Sequence, residues 1–193
     1  VNKVYAVIVC LALVLASCGG VVENPVPAQS VNLVFDSQAK DVILDLISNS
    51  SKSIDIQLYQ LGDENVIEAL ANCAKRGVNV RLILFDDPEN TGDKEFYSLE
   101  AKGQVDMEGF LEDAGCQVRW IKKREHYLFH RKVAIFDGKS IFIGSSNWTR
   151  TGLENNSECD AVIVSPENVE KLLKVFDEVW GNARDTYTNS HSR

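Results

Sequence analysis

Several function classes are excluded by what the chain has little of. No segment repeats at the ~20–50-residue period of solenoids and propellers, so the fold is not an array. The five cysteines follow no zinc-ligand spacing, which excludes the common structural zinc modules. The longest apolar run, residues 4–16, is short for a transmembrane helix. Cations are in the minority, 20 Lys and Arg against 28 Asp and Glu, for a net charge of −8. Such a protein does not hold polyanions through bulk charge, so a phosphate-bearing substrate would need a local basic patch. Four prolines and three histidines in 193 residues leave few breakers and few candidate imidazoles. What remains, 45% hydrophobic and 25% charged, suits one folded domain with its own core.

The beginning of the chain reads differently from the rest. Lys3 is the only charge before Glu23, and the apolar run ends in Ser17-Cys18-Gly19-Gly20. A positive start, an apolar stretch and a small-residue region are the parts of a secretory signal peptide. Leu15-Ala16-Ser17-Cys18 resembles the lipobox of bacterial lipoproteins, which implies cleavage before Cys18 and a lipid on that cysteine. Residues 1–17 are therefore expected to be a signal peptide and residues 18–30, with Pro25 and Pro27, a lipidated tether. The expected location is the bacterial cell envelope, outside the cytoplasm and anchored to a membrane. Gly19 stands where many inner-membrane lipoproteins carry aspartate, which points to the outer membrane in an organism that has one. Cys73, Cys116 and Cys159 read as small buried apolar residues, with a Cys73–Cys116 bridge as the alternative in an oxidising compartment.

From residue 31 strands and helices alternate. Strands are expected at 31–35, 53–58, 78–85, 116–121, 131–136, 140–143 and 161–164. Helices are expected at 38–50, from the Asp63 cap to Arg76 with Gly77 as its stop, up to about Ala114, and from Pro166 to Trp180. The connection Asp86–Gly103 is long and polar. Asp137-Gly138 between two apolar runs is the strongest hairpin signal. This alternation predicts an α/β fold, a mixed β-sheet sandwiched between helices, over residues 31–184, with a polar tail at 185–193.

The chemistry concentrates in HRKVAIFDGKSIFIGSSNW, residues 130–148. His130, Lys132 and Asp137 fit H-x-K-x4-D; Gly144-Ser145-Ser146-Asn147 fits G-S-x-N; Glu158 follows eleven residues after Asn147. Residues i and i+2 of a strand share a face, so His130 and Lys132 project together. The antiparallel return brings Gly144–Asn147 back beside the start of the first strand. Glycine at 144 permits close backbone approach. A lone histidine on a strand is usually a plain polar residue; here four polar groups converge on one spot. Trp148, Phe142 and Trp180 read as packing residues, whereas Tyr127 and Phe129 could stack on bases.

This pattern resembles the phospholipase D superfamily, in its form with one H-x-K-x4-D motif per chain, and among its members the small bacterial endonucleases. The likeness includes the Lys75–Val78 turn into a strand and the Asn156-Ser157-Glu158 segment. It implies a phosphodiesterase in which His130 attacks phosphorus and forms a phosphohistidine. Lys132 and Asn147 would hold the non-bridging oxygens, Ser145 would hydrogen-bond in the same pocket, and Glu158 would accept from the other imidazole nitrogen. Asp137, at the turn, is expected to be structural. The resemblance implies no metal and no cofactor. It also implies two such histidines, and His126 lacks the companion lysine while His191 lies in the tail, so a homodimer sharing one active site is expected. The segment Arg119–Lys132 carries six cations against Glu125, with Lys122, Lys123 and Arg124 as expected substrate-binding residues. They favour nucleic acid as substrate; membrane phospholipid is the alternative.

Overall fold

The computed structural model describes residues 29–86, 107–122 and 124–183. The expected signal peptide, the lipidation site Cys18, most of the tether, the 87–103 part of the long connection, Lys123 and the polar tail lie outside the described residues.

Among the described residues, seven strands and four α-helices run as β1 (Ser30–Phe35), α1 (Gln38–Asn49), β2 (Ser53–Leu58), α2 (Glu64–Lys75), β3 (Asn79–Asp86), α3 (Met107–Asp113), β4 (Gln117–Lys122), β5 (Lys132–Phe136), β6 (Ser140–Gly144), β7 (Cys159–Val164) and α4 (Pro166–Asn182), with a π-helical turn at Thr151–Asn155 before β7. The strands form one mixed sheet in the order β1-β7-β6-β5-β2-β3-β4. β2, β3 and β4 are parallel; the other pairings are antiparallel. α1, α2 and α3 pack on one face and α4 on the other, the expected sandwich.

Local chemistry accounts for the elements. Asp63 caps α2 by accepting from the Val66 N–H at 3.1 Å, and the helix buries Val66, Ile67, Leu70, Ala71 and Cys73. Ile54, Ile56 and Leu58 of β2 enter the large core, each worth about 1.5–3 kcal/mol when fully buried. The alternate residues Asp55 and Gln57 are also buried, because α4 roofs the second face. Asp55 survives there by accepting from Arg81 at 2.6 Å, and Arg81 also donates to Asp177 of α4 at 3.0 Å. Burial still holds the Asp55 carboxyl above its ordinary range.

Cys73 and Cys116 are buried as expected, and the reading changes for Cys159. Cys73 and Cys116 are both free thiols, which donate to Ile47 O at 3.4 Å and Leu70 O at 3.9 Å. Burial pushes the Cys116 thiol up to about 12. Cys159 is exposed, because its side of β7 is not covered. Phe142 and Trp148 are buried and meet edge-on at 6.1 Å, as packing residues do.

The β5–β6 hairpin turns through residues 137–139. Asp137 and Gly138 both have positive φ, 55° and 63°, and Lys139 N donates to Phe136 O at 2.9 Å. The Asp137 carboxylate accepts from the N–H groups of Ser51, Lys52 and Ser53 and from the Ser51 hydroxyl, at 2.7–3.2 Å. Partial burial alone would raise this carboxyl, but those donors outweigh it and hold it below the ordinary range. Asp137 thus ties the turn to the entry of β2, at the end of β5 opposite Lys132.

Candidate active site

The ends of β2, β3, β4 and β6 and the starts of β5 and β7 lie along one edge of the sheet, the edge at which open α/β sheets bind ligands. His130 immediately precedes β5 and is exposed there. Lys132, paired with Leu58, is 6% exposed. Its Nζ lies 2.9 Å from His130 Nε2 and 3.0 Å from Nδ1, and donates to His130 O at 3.3 Å. The hydrogen-bonding directions of the two ring nitrogens diverge in the ring plane, so an atom nearly equidistant from both lies in line with neither. The Tyr59 ring packs on the imidazole at 4.6 Å and carries Lys132 Nζ at 5.1 Å. Desolvation first, then the Lys132 charge, hold the imidazole below its usual range. Burial lowers the Lys132 ammonium too, with Glu158 opposing. The edge therefore presents an imidazole of lowered proton affinity against the Lys132 side chain.

The G-S-x-N block is built onto β7. A Cβ on Gly144 would stand 2.0 Å from Asp160 Oδ1 and 2.5 Å from Asp160 Cα, so only glycine fits there. Asp160, 2% exposed, accepts from the Ser146 N–H at 3.1 Å and the Ser146 hydroxyl at 2.5 Å. These bonds set the path of the chain between Ser145 and Asn147. Ser145 Oγ donates to Glu158 Oε2 and accepts from the Cys159 N–H at 3.1 Å. Asn156 Nδ2 donates to Glu158 Oε1 at 3.0 Å. The expected Glu158–His130 hydrogen bond is not among the described residues' contacts. Ser145 and Asn156 each donate to one carboxylate oxygen of Glu158, and its charge acts on Lys132. Asn147 is half-buried; its Nδ2 donates to Gln60 Oε1 at 2.7 Å, and its Oδ1 is buried without a partner.

The basic segment does not form one patch. β4 and β5 adjoin in sequence but stand three strands apart in the sheet, roughly 14 Å at strand spacing. Lys122 and Arg124 are exposed beside the outermost strand β4, three strand positions from β5. Arg119 donates to Trp180 O at 2.7 Å and stacks on the Trp180 ring at 4.4 Å, so it is structural. Arg131 donates to Gln57 Oε1 and lies over Phe129 at 5.3 Å. Phe129 is buried with Ile83, Phe85 and Phe176 and offers no face to a base; Tyr127, 48% exposed, does. Among the described residues no three His, Cys, Asp or Glu side chains are grouped as metal ligands.

Residues 43–180 match the family model described as "Cardiolipin synthase, PLD-like domain". The chain belongs to the phospholipase D superfamily. Among curated relatives, a mitochondrial cardiolipin hydrolase from Chlamydomonas reinhardtii is 28% identical over 137 residues, covering 71% of this chain and 55% of the relative. The mouse mitochondrial cardiolipin hydrolase is 30% identical over 128 residues, covering 66% of this chain and 52% of the relative. The chain spans little more than half the length of these two proteins. Among solved structures, Nuc from Salmonella typhimurium, a phospholipase D family member, superposes with a TM-score of 0.69 at 24% identity, covering 83% of this chain and all of Nuc. NucT from Helicobacter pylori superposes at 0.66 with 20% identity, covering 82% of this chain and all of NucT. These structural likenesses establish the phospholipase D fold.

Within that fold, three residues at the site escaped the sequence reading: Tyr59 and Gln60, which leave β2 at the active edge, and Asp160. Asp160 carried a signal, a lone carboxylate in the apolar run CDAVIV of β7. Tyr59 and Gln60 carried none, because only the pairing of β2 with β5 brings them to the motif.

Proposed function

We propose that the protein is a phosphodiesterase of the nuclease type, which hydrolyses nucleic-acid phosphodiesters without a metal through His130. The observation that carries this reading is the His130 imidazole held within 3.0 Å of Lys132 Nζ at the open edge of the sheet. An imidazole nitrogen of His130 attacks phosphorus, the bond to the leaving oxygen breaks, and that oxygen takes a proton from a second, protonated histidine. Water then attacks the phosphohistidine, releases the phosphate product and frees His130. Lys132 and Asn147 hold the non-bridging oxygens, and Glu158 acts by fixing Ser145 and by its charge on Lys132.

The second histidine comes from a second copy of the chain. An uncovered apolar face supports this. Val31 and Leu33, each 62% exposed, and Phe35, 47% exposed, lie on one side of β1. Leu33 pairs with Ala161, and Ala161 with Ile143, which is also exposed, so the face continues across three strands. It ends beside the site, where Phe35 pairs with Cys159, the neighbour of Glu158. The lipid expected on Cys18 would hold such a dimer at the envelope membrane.

A phospholipid substrate is the second reading. It is favoured by Leu128, 52% exposed beside His130 with Tyr127, and by relatives named for cardiolipin. The test incubates the 193-residue protein and its His130→Ala variant, in EDTA, with single-stranded DNA, duplex DNA, RNA and cardiolipin vesicles. Cleavage of nucleic acid by the wild type alone is expected. Release of lipid headgroup with nucleic acid untouched would replace the nuclease with the lipid enzyme.

A further inference from the structure

A cleft of about 430 Å³ opens at the end of β4, lined by Ile121, Arg124, Tyr127, Glu178, Val179 and Asn182. It lies outside the His130 site. The chain turns tightly from Arg124 to Tyr127, with Tyr127 N donating to Arg124 O at 3.1 Å, and then runs to His130. Two residues separate Tyr127 from His130, so three chain steps span at most about 11 Å. The cleft is thus within one or two nucleotides of the reacting phosphorus.

Its lining is unlike a phosphate track and unlike an acyl slot. A phosphate track would not carry the exposed carboxylate of Glu178. An acyl slot would not be lined by a guanidinium, a carboxylate and an amide. The set does match a nucleobase with its backbone. Tyr127 offers an exposed ring for stacking, Ile121 and Val179 an apolar floor, and Arg124 a cation for a flanking phosphate. Glu178 offers a carboxylate to donors on a base edge. Asn182 Nδ2 donates to Glu178 O at 2.7 Å, which leaves its Oδ1 as a second acceptor. The Glu178 carboxylate, an acceptor at both oxygens, suits a base that presents adjacent N–H groups, as the Watson–Crick edge of guanine does.

We propose that this cleft is a base-binding subsite, which stacks one unpaired guanine on Tyr127 and reads it through Glu178, next to the phosphodiester cut at His130. This rests on the nuclease reading. The test uses the 193-residue protein, single-stranded oligonucleotides varied one position at a time, and bis(p-nitrophenyl) phosphate as a minimal diester. The wild type is expected to favour guanine at one position within two nucleotides of the cut. Tyr127→Ala should raise KM for the guanine oligonucleotide about tenfold, as loss of one stacked base does. Glu178→Gln should level the guanine preference. Both positions are exposed, so the variants keep the fold. Unchanged KM and base profile in both variants would overturn the subsite and leave the nuclease standing. A wild type that hydrolyses the minimal diester but no oligonucleotide would overturn both.

Discussion

Gln60 Oε1 accepts the Asn147 side-chain amide at 2.7 Å, and the Gln60 carbonyl accepts the next N–H, that of Trp148, at 3.1 Å. One residue from the end of β2 thus fixes both the backbone and the amide orientation at the end of the G-S-x-N block. A phosphoryl oxygen only accepts hydrogen bonds, so Asn147 must offer it Nδ2 and not Oδ1. Gln60 holds that nitrogen in place, with its second proton left for substrate.

Gln60→Leu should therefore lower kcat about tenfold, ~1.4 kcal/mol of transition-state stabilisation, with a smaller change in KM. Steady-state kinetics on any diester that the wild type cleaves decide this. A Gln60→Leu enzyme with wild-type kcat would remove Gln60 from the positioning of Asn147.

The Lys132 charge is one cause of the low affinity of His130 for protons, after desolvation. Removing a neighbouring cation favours the protonated imidazole. In Lys132→Met the His130 titration, followed by ¹H–¹⁵N NMR, should move up toward the ordinary 6.5, while in the wild type it lies below that value. A midpoint that stays or falls in the variant would assign the shift to desolvation alone.

Asp137 contributes stability with a defined pH window. Its folded-state carboxyl lies below the ordinary 3.8, so the stabilisation is complete above that pH and is lost as pH falls through the folded value. Asp137→Asn keeps a residue that tolerates positive φ but removes the charge from its Ser51, Lys52 and Ser53 donors. The variant should be less stable by about 2 kcal/mol at neutral pH. Urea unfolding at a series of pH values should show that gap closing in acid; a gap constant down to strong acid would mean that packing, not charge, is lost.

Gly144→Ala places a methyl against Asp160 backbone and carboxylate, neither of which is a flexible chain end. The β6–β7 pair must part, or Asp160 must release Ser146. A loss of about 3 kcal/mol is expected, at the upper end of overpacking costs, together with loss of activity. Denaturant midpoints measure the first; a variant within about 0.5 kcal/mol of wild type, the range of neutral surface changes, would mean that the block has room to shift.

Much of the architecture was legible in local pattern. β2 falls on the predicted bounds, Ser53–Leu58, because its apolar residues alternate; α2 starts at the Asp63 cap and stops before Gly77 for the reasons the residues suggest. The hairpin follows from Asp137-Gly138, two residues that accept positive φ. His130 and Lys132 meet because residues two apart on a strand must.

What depends on strand order was not legible. The cations from Arg119 to Lys132 are one cluster in sequence, yet the order β5-β2-β3-β4 puts two strands between β4 and β5 and leaves Lys122 and Arg124 at the far edge. Asp55 and Gln57 are polar and alternate with the apolar residues of β2, yet α4 buries them. Within the chain, the β6–β7 pairing brings Glu158 to Ser145, a contact its spacing from His130 did not suggest. The sequence by itself determined the elements, the hairpin and the meeting of His130 with Lys132, because those follow from contacts between near neighbours in the chain. Only the tertiary structure decided which residues surround them, Tyr59, Gln60 and Asp160 among them, because strand pairing joins segments whose separation in sequence says nothing about their distance in space.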